Sequence, residues 1–388
     1  MATTTFDVEA ARSRFSSLRS GFVFLDAPGG TQVPDEVGDA IAGALRDASG
    51  NLGAPYSTGR AVESILDGAK SDAARFLGCS PGEVAFGMNM TTLNFALTRT
   101  AGRDFAAGEE ILTTELDHDG GVAPWIELAA DRGLTVRIAA ATDDLTVDYD
   151  DLERKLGDRT RVVAFALASN ATGSIADAKR ICRLAREAGA LSWIDAVHYA
   201  PHETIDVRDI GCDVLLCSPY KFCGPHLGIA YTRAETAEAW RPYKARPSSS
   251  EPLGRRFETG TLPFELLAGF RATIAYLESL GGVAALRDHE RALGQRLVGN
   301  LPGGVELYGP EFDRRVPTFL LNVDGVDART AAHTLAARGI GVWYADSWYC
   351  VALGHRLPPL SLRVGLIHYN TPAEVDRLLD ELAALAPG

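Results

Sequence analysis

From about residue 60 to 232, short apolar runs alternate with longer segments whose apolar residues recur every three or four positions. Apolar runs of strand length bounded by turn-forming residues read as buried strands, and the longer periodic segments read as amphipathic helices. This predicts strands at 83–87, 110–114, 134–139, 161–168, 191–195, 213–217 and 227–231, with helices at 61–77, 124–132 and 175–188 between several of them. Such alternation marks an α/β fold in which a mostly parallel seven-stranded sheet is covered by helices on both faces. The last two strands are joined too tightly for a helical crossover, so at least one strand should run antiparallel. The stretch 233–256, rich in Arg, Pro and Ser, reads as a loop region. Helices at 264–280 and 283–297 follow. A smaller α/β unit then has apolar runs at 316–323 and 362–367 and helices at 327–338 and 371–385.

A chain of 388 residues exceeds the size at which one core usually stops growing, so two domains are expected. The pattern divides them into a large domain, 16–282, and a small domain made of 1–15 and 283–388. The formal charge of −13 argues against a nucleic-acid partner, whose backbone needs a basic footprint. Residues 1–9 are polar, with no basic region followed by an apolar one, and no apolar stretch reaches the roughly 18 residues of a membrane span. A cytoplasmic protein without a membrane partner is the expectation. Six cysteines are too sparse for a disulfide scaffold, and Cys217, Cys223 and His226 match no strong zinc spacing, so no metal is expected.

Ligands of such sheets collect beyond the carboxyl ends of the strands, and chemistry-bearing residues fall there. Lys221 lies between the apolar run ending at Cys217 and the turn Gly224-Pro225, while Asp195 ends the preceding apolar strand. That arrangement suits a lysine holding an aldehyde cofactor, pyridoxal phosphate, with a carboxylate to pair with the ring nitrogen. A snorkelling surface lysine and a helix-capping aspartate are the plain alternatives. His198 is placed to donate to the cofactor's phenolate oxygen or to serve locally. His118, in the loop before Gly120-Gly121, is placed to stack on the ring and move protons. Asn89 and Met90 open a helix after a strand, a setting for a phosphate or an ordinary cap, and Ser218 is a further phosphate donor. Asn170 follows another strand. Arg363, inside an apolar strand pattern, needs a counter-charge, either a substrate carboxylate or an internal Asp or Glu.

The ordered series resembles the class V aminotransferase family of pyridoxal phosphate enzymes, and within it the cysteine desulfurase and selenocysteine lyase group. The likeness runs from Phe24-Leu25-Asp26-Ala27-Pro28-Gly29-Gly30-Thr31 to His368-Tyr369-Asn370-Thr371-Pro372. It implies the type I fold of these enzymes, a covalent cofactor link at Lys221, ring-nitrogen pairing by Asp195, stacking by His118, and an oxygen contact from His198 where desulfurases usually carry Gln. It further implies that Asn170 meets the hydroxyl side, that Asn89, Met90 and Ser218 surround the phosphate, and that Arg363 clamps an amino-acid substrate's carboxylate. Thr261, in Glu258-Thr259-Gly260-Thr261, matches a segment that crosses a two-fold interface to the other subunit's phosphate, which implies a homodimer. The departure lies at 339–350. The position of the mobile-loop cysteine that attacks sulfur in desulfurases falls near Trp348, and Cys350 is the nearest thiol. The resemblance is therefore closest to desulfurase-like members without a persulfide cysteine. The first reading is a lyase that cleaves a C–S bond or eliminates a β substituent; the second is an aminotransferase or amino-acid epimerase.

Overall fold

The computed structural model describes residues 6–245 and 249–386. Residues 1–5 and 387–388 of the expected small domain, and 246–248 of the expected loop region, lie outside the described residues. Strands β1 (Val84–Gly87), β2 (Glu110–Thr114), β3 (Thr135–Ala139), β4 (Thr160–Ala166), β5 (Leu191–Asp195), β6 (Val214–Cys217) and β7 (Gly228–Thr232) form one sheet in the order β1-β7-β6-β5-β4-β2-β3. Strand β7 is antiparallel to both its neighbours, and the other ladders are parallel. Every residue of β6 and nearly every residue of β5 is buried, because a parallel sheet covered on both faces has no solvent side.

The covering helices include α1 (Asp35–Asp47), α2 (Ser57–Leu77), α3 (Met90–Ala101), α4 (Asp119–Arg132), α5 (Ala178–Glu187) and α6 (Phe264–Ser279). Helix α4 begins at Asp119, earlier than the expected 124, with Pro124 inside it. Proline lacks the N–H that would bond the carbonyl four residues back. That carbonyl, of Gly120, instead accepts from Asn94 Nδ2 at 2.9 Å, so the helix tolerates the proline where α3 crosses it.

After α7 (Val283–Gly299), strands β8 (Val305–Tyr308), β9 (Thr318–Val323), β10 (Trp343–Ala345) and β11 (Ser361–Gly365) make an antiparallel sheet in the order β10-β11-β9-β8. Helices α8 (Ala328–Ala337) and α9 (Pro372–Leu385) complete this unit. Phe319, Leu321, Leu362, Val364 and Leu378 form its core together with Val23 and Leu25 from the start of the chain. Val23–Phe24 also pairs in parallel with Ile340–Gly341. Farther upstream, Arg12 donates to Tyr369 O at 2.5 Å and pairs with Glu374 at 2.9 Å. The N-terminal segment thus runs along the second unit before reaching the first, which carries residues 26–31 past the carboxyl ends of β5 and β6. Among the described residues, no helix is long and apolar enough to cross a membrane.

Candidate active site

Lys221 sits in the short turn Pro219–Lys221 directly after β6 and is 6% exposed. Its Nζ donates to the carbonyl of Pro28 and lies 4.4 Å from the centre of the Tyr220 ring. Burial, and then the charge of Arg363, push its amine down to about 7, against the pull of Asp26 and Asp195. A substantial neutral fraction at physiological pH follows, and the neutral amine is the form that attacks a carbonyl.

The end of β5 places Asp195 in the same pocket. Its Oδ1 accepts from Val197 N at 2.9 Å, and burial raises its carboxyl to about 6. His198, in the following turn, is buried, and burial followed by the Lys221 charge holds it well below the usual histidine range. His118 caps α4: its Nδ1 accepts from Gly120 N at 2.9 Å, which leaves the ring proton on Nε2. Burial, then Lys221 and Arg363, push its pKa down to about 4, so the imidazole is neutral near pH 7. Asn89 caps α3 by accepting from Thr92 N and Oγ1, both at 2.8 Å. The N–H of Met90 donates to Ser218 Oγ at 3.2 Å, tying this helix start to the lysine turn. A Cβ at Gly228 would come within 2.4 Å of the Asn89 carbonyl carbon, so β7 needs glycine where it passes beneath.

Seven expected residues therefore line one pocket: Asn89, Met90, His118, Asp195, His198, Ser218 and Lys221. Asn170, Arg363 and Cys350 form an adjoining cluster. Arg363, on β11, is 3% exposed. Its Nε and Nη2 donate to Asp26 Oδ1 at 3.2 and 3.0 Å, and its Nη1 donates to Asn170 O at 3.1 Å. The expected internal counter-charge for Arg363 is thus Asp26. The Asn170 side chain donates to Trp348 O at 2.6 Å and accepts from Cys350 Sγ at 2.9 Å. Burial pushes the Cys350 thiol up to about 12. Thr261 is not with the others; it borders a separate cavity of about 340 Å³ with Lys244, Glu258 and Thr259.

Three contributors were not foreseen, Asp26, Pro28 and Asp117, and the aromatic run Trp343, Tyr344, Trp348 and Tyr349 was expected either to line a pocket or to pack the small domain against the large one. Asp117 accepts from Thr114 N, Thr114 Oγ1 and Ala166 N at 2.7, 2.8 and 2.6 Å, joining β2 to β4 beside Asp195. The Tyr349 ring stacks on His118 with centroids 5.4 Å apart and planes 22° from parallel. The signal for Asp26 and Pro28 was present in the turn Asp26-Ala27-Pro28-Gly29-Gly30 after an apolar run.

The donor set fits pyridoxal phosphate: a buried amine of lowered pKa for the aldehyde, a buried carboxylate for the ring nitrogen, a neutral imidazole beside the ring, and a helix start with a hydroxyl for the phosphate. Comparison with known proteins agrees. The family model "Aminotransferase class-V" matches residues 23–378. A probable cysteine desulfurase 2 of Mycobacterium leprae is 32% identical over 97% of this chain and 96% of its own length. The apo cysteine desulfurase of Thermococcus onnurineus NA1 superposes with a TM-score of 0.92 at 24% identity, over 97% of this chain and 98% of that one. A C-DES mutant with glycine covalently linked to its PLP cofactor superposes with a TM-score of 0.86 at 18% identity, over 96% and 98% of the two chains. The chain belongs to the class V aminotransferase family, and it is a pyridoxal-phosphate-dependent enzyme.

Proposed function

We propose that this enzyme is a desulfurase-like lyase that takes a cysteine-type amino acid and cleaves its C–S bond, or eliminates its β substituent, without a persulfide on its own chain. The observation that carries this reading is Cys350: its thiol is buried, held as S–H by burial, and donates to the Asn170 side chain. A thiolate is the form that attacks sulfur. The other five cysteines are buried or half-buried free thiols; Cys217 and Cys223 flank the lysine turn, but neither lines the pocket with Lys221, and burial pushes both thiols well above their usual range.

Bound in the pocket, pyridoxal phosphate supplies an aldehyde for amines and a ring that takes up electrons released at the substrate's α carbon. The roles of the surrounding residues follow from their chemistry. Lys221 Nζ would hold the aldehyde, and its neutral amine is the group placed to take a substrate's α proton. Asp195 keeps the pyridine nitrogen protonated by offering a carboxylate in a low-dielectric setting. His118, with the Tyr349 ring stacked on it, would lie beside the ring and keep water from it. His198 and Asn170 meet the ring's oxygen side. Asn89, Met90 and Ser218 provide the phosphate end, and Arg363 takes the substrate carboxylate. In the homodimer proposed here, Thr261 completes the phosphate site of the partner subunit, consistent with its position in a cavity apart from Lys221. The same residue set also supports an aminotransferase or epimerase, because both begin with removal of the α proton by Lys221.

A panel of amino acids with product analysis tests the reading. Keto acid and ammonia without an amino acceptor are expected, with sulfide when cysteine is supplied. A strict requirement for an amino acceptor would replace this reading with transamination. For the cofactor site itself, the visible absorbance of the holoenzyme should be lost in Lys221→Ala.

A further inference from the structure

Arg363 is buried, yet it already has a carboxylate. Asp26 Oδ1 takes both Nε and Nη2 of the guanidinium, at 3.2 and 3.0 Å. One oxygen serving two donors is a poorer match than the two parallel hydrogen bonds that a carboxylate offering both oxygens makes with this fork. One side of the guanidinium is screened as well: its carbon lies 4.2 Å from the centre of the Trp348 ring and 5.6 Å from that of Trp343, with the two ring centres 5.8 Å apart. With Nη1 donating to Asn170 O, an anion that pairs with the Nε and Nη2 fork meets Arg363 at the edge that Asp26 now occupies.

Asp26 is not buried like its partner. Its side chain is 24% exposed, against 3% for that of Arg363, and it borders a cavity of about 310 Å³ with Gly29, Gly341 and Trp343. The turn makes room for the carboxylate: a Cβ at Gly29 would lie 1.9 Å from Asp26 Oδ2. Burial raises the Asp26 carboxyl above its ordinary range despite the adjacent Arg363 and Lys221, so its present position is only partly compensated. The carboxylate has both a weakly matched partner and open space beside it. Two residues on, Pro28 O accepts from Lys221 Nζ, so the same turn touches both cations of the site.

Resting on the reading of Arg363 as the carboxylate contact, we infer that Asp26 is an internal stand-in for the substrate carboxylate: it keeps Arg363 oriented in the free enzyme, and the incoming amino acid displaces it toward the adjoining cavity. Asp26 is a positioning residue that acts through Arg363. It sets the affinity for carboxylates, because every substrate must compete with it.

The test is the affinity of the folded holoenzyme for propionate, a carboxylate with no amine to react, measured by calorimetry beside propionamide as the uncharged control. Asp26→Asn removes the competing charge and should tighten propionate binding about tenfold, with propionamide unchanged. Because an unpaired buried arginine endangers folding, Asp26→Ser provides a second neutral variant, read in the same way. Circular dichroism and retained cofactor absorbance establish which variant is intact. Unchanged or weaker propionate binding in a folded neutral variant would overturn the inference, and so would equal tightening of propionamide. Arg363→Met in the Asp26→Asn background should abolish the gain; a gain that persists would place the anion elsewhere and overturn it too. These binding readings do not depend on turnover, so failure of the lyase assignment would be seen separately, in the products of the amino-acid panel.

Discussion

The pocket around Lys221 and the stretch 343–350 beside it are built on opposite principles. Asp195, Ser218 and Lys221 stand at the ends of buried parallel strands, and Asn89 and Met90 follow the edge strand β1, so the sheet fixes the backbone and side chains emerge at the carboxyl edge. The stretch 343–350 crosses from the edge strand β10 into three successive left-handed residues, Ser347, Trp348 and Tyr349, with φ of 37°, 53° and 59°. None is glycine, and left-handed backbone costs roughly 1–2 kcal/mol per such residue. Contacts hold the strained turn: Trp348 Nε1 donates to Ser361 Oγ at 3.1 Å, its carbonyl accepts from Asn170, and Tyr349 stacks on His118. A rigid sheet edge is suited to carry the chemistry, and a strained aromatic turn touching Arg363, Asn170 and His118 is suited to control what reaches it.

If that division is right, Lys221→Ala has the largest effect. Loss of a positioned proton-transfer group should lower kcat by about 10²–10⁴. Substrate affinity, followed by calorimetry, should fall much less. Equal losses in both would mean that the pocket and the turn are not separable.

Trp348→Ala tests the other side. Its side chain is 2% exposed, and truncating a buried tryptophan costs roughly 3–5 kcal/mol, offset in part if the turn relaxes. A lower denaturation midpoint is expected, together with a KM raised about tenfold and kcat within a few-fold. A fall in kcat with KM unchanged would put the turn among the catalytic parts.

The pH dependence of cofactor capture links the regions. Lys221 is neutral above about 7, so the rate at which the apoenzyme takes up pyridoxal phosphate should climb from acid pH and level off above 7. His118, already neutral above about 4, adds no step in this window. Since Arg363 is the second cause of the lowered Lys221 pKa, Arg363→Met should move the midpoint to higher pH, readable by stopped-flow absorbance. An unmoved midpoint would show that the adjoining cluster does not act on the lysine.

The same contrast decides what could be read from sequence. Strands β4, β5 and β6 are apolar runs because both their faces are buried, so their ends, and with them Asn170, Asp195 and Lys221, could be located by pattern. Edge strands β8 and β10 are short and partly exposed, and no run marks them. Asp26 and Arg363 are 337 positions apart, and only the path of the N-terminal segment along the second unit brings them together. The caps formed by Asn89 and His118 show a further limit: a residue that closes a helix in this structure can face a cofactor as well, and spacing does not separate the two roles. Left-handed Trp348 was beyond reach altogether, because its conformation is imposed by tertiary contacts against its own preference.

Cys350→Ser has the smallest expected effect and bears most directly on the division. The thiol is 0% exposed, and burial keeps it protonated by raising its pKa to about 12, so at pH 7–9 it offers almost no thiolate. Its polar partners are Asn170 Oδ1 at 2.9 Å and Leu116 O at 3.6 Å, and a serine hydroxyl can donate to the nearer of them. Turnover of the preferred amino acid should therefore stay within about threefold of wild type, less than 1 kcal/mol in the barrier. Alkylation by iodoacetamide should spare Cys350 in the folded enzyme for the same reason. If Cys350→Ser instead abolished sulfide release from cysteine while leaving cofactor absorbance intact, the turn would have to open far enough to expose this thiol during catalysis. The strained stretch would then carry chemistry as well as access.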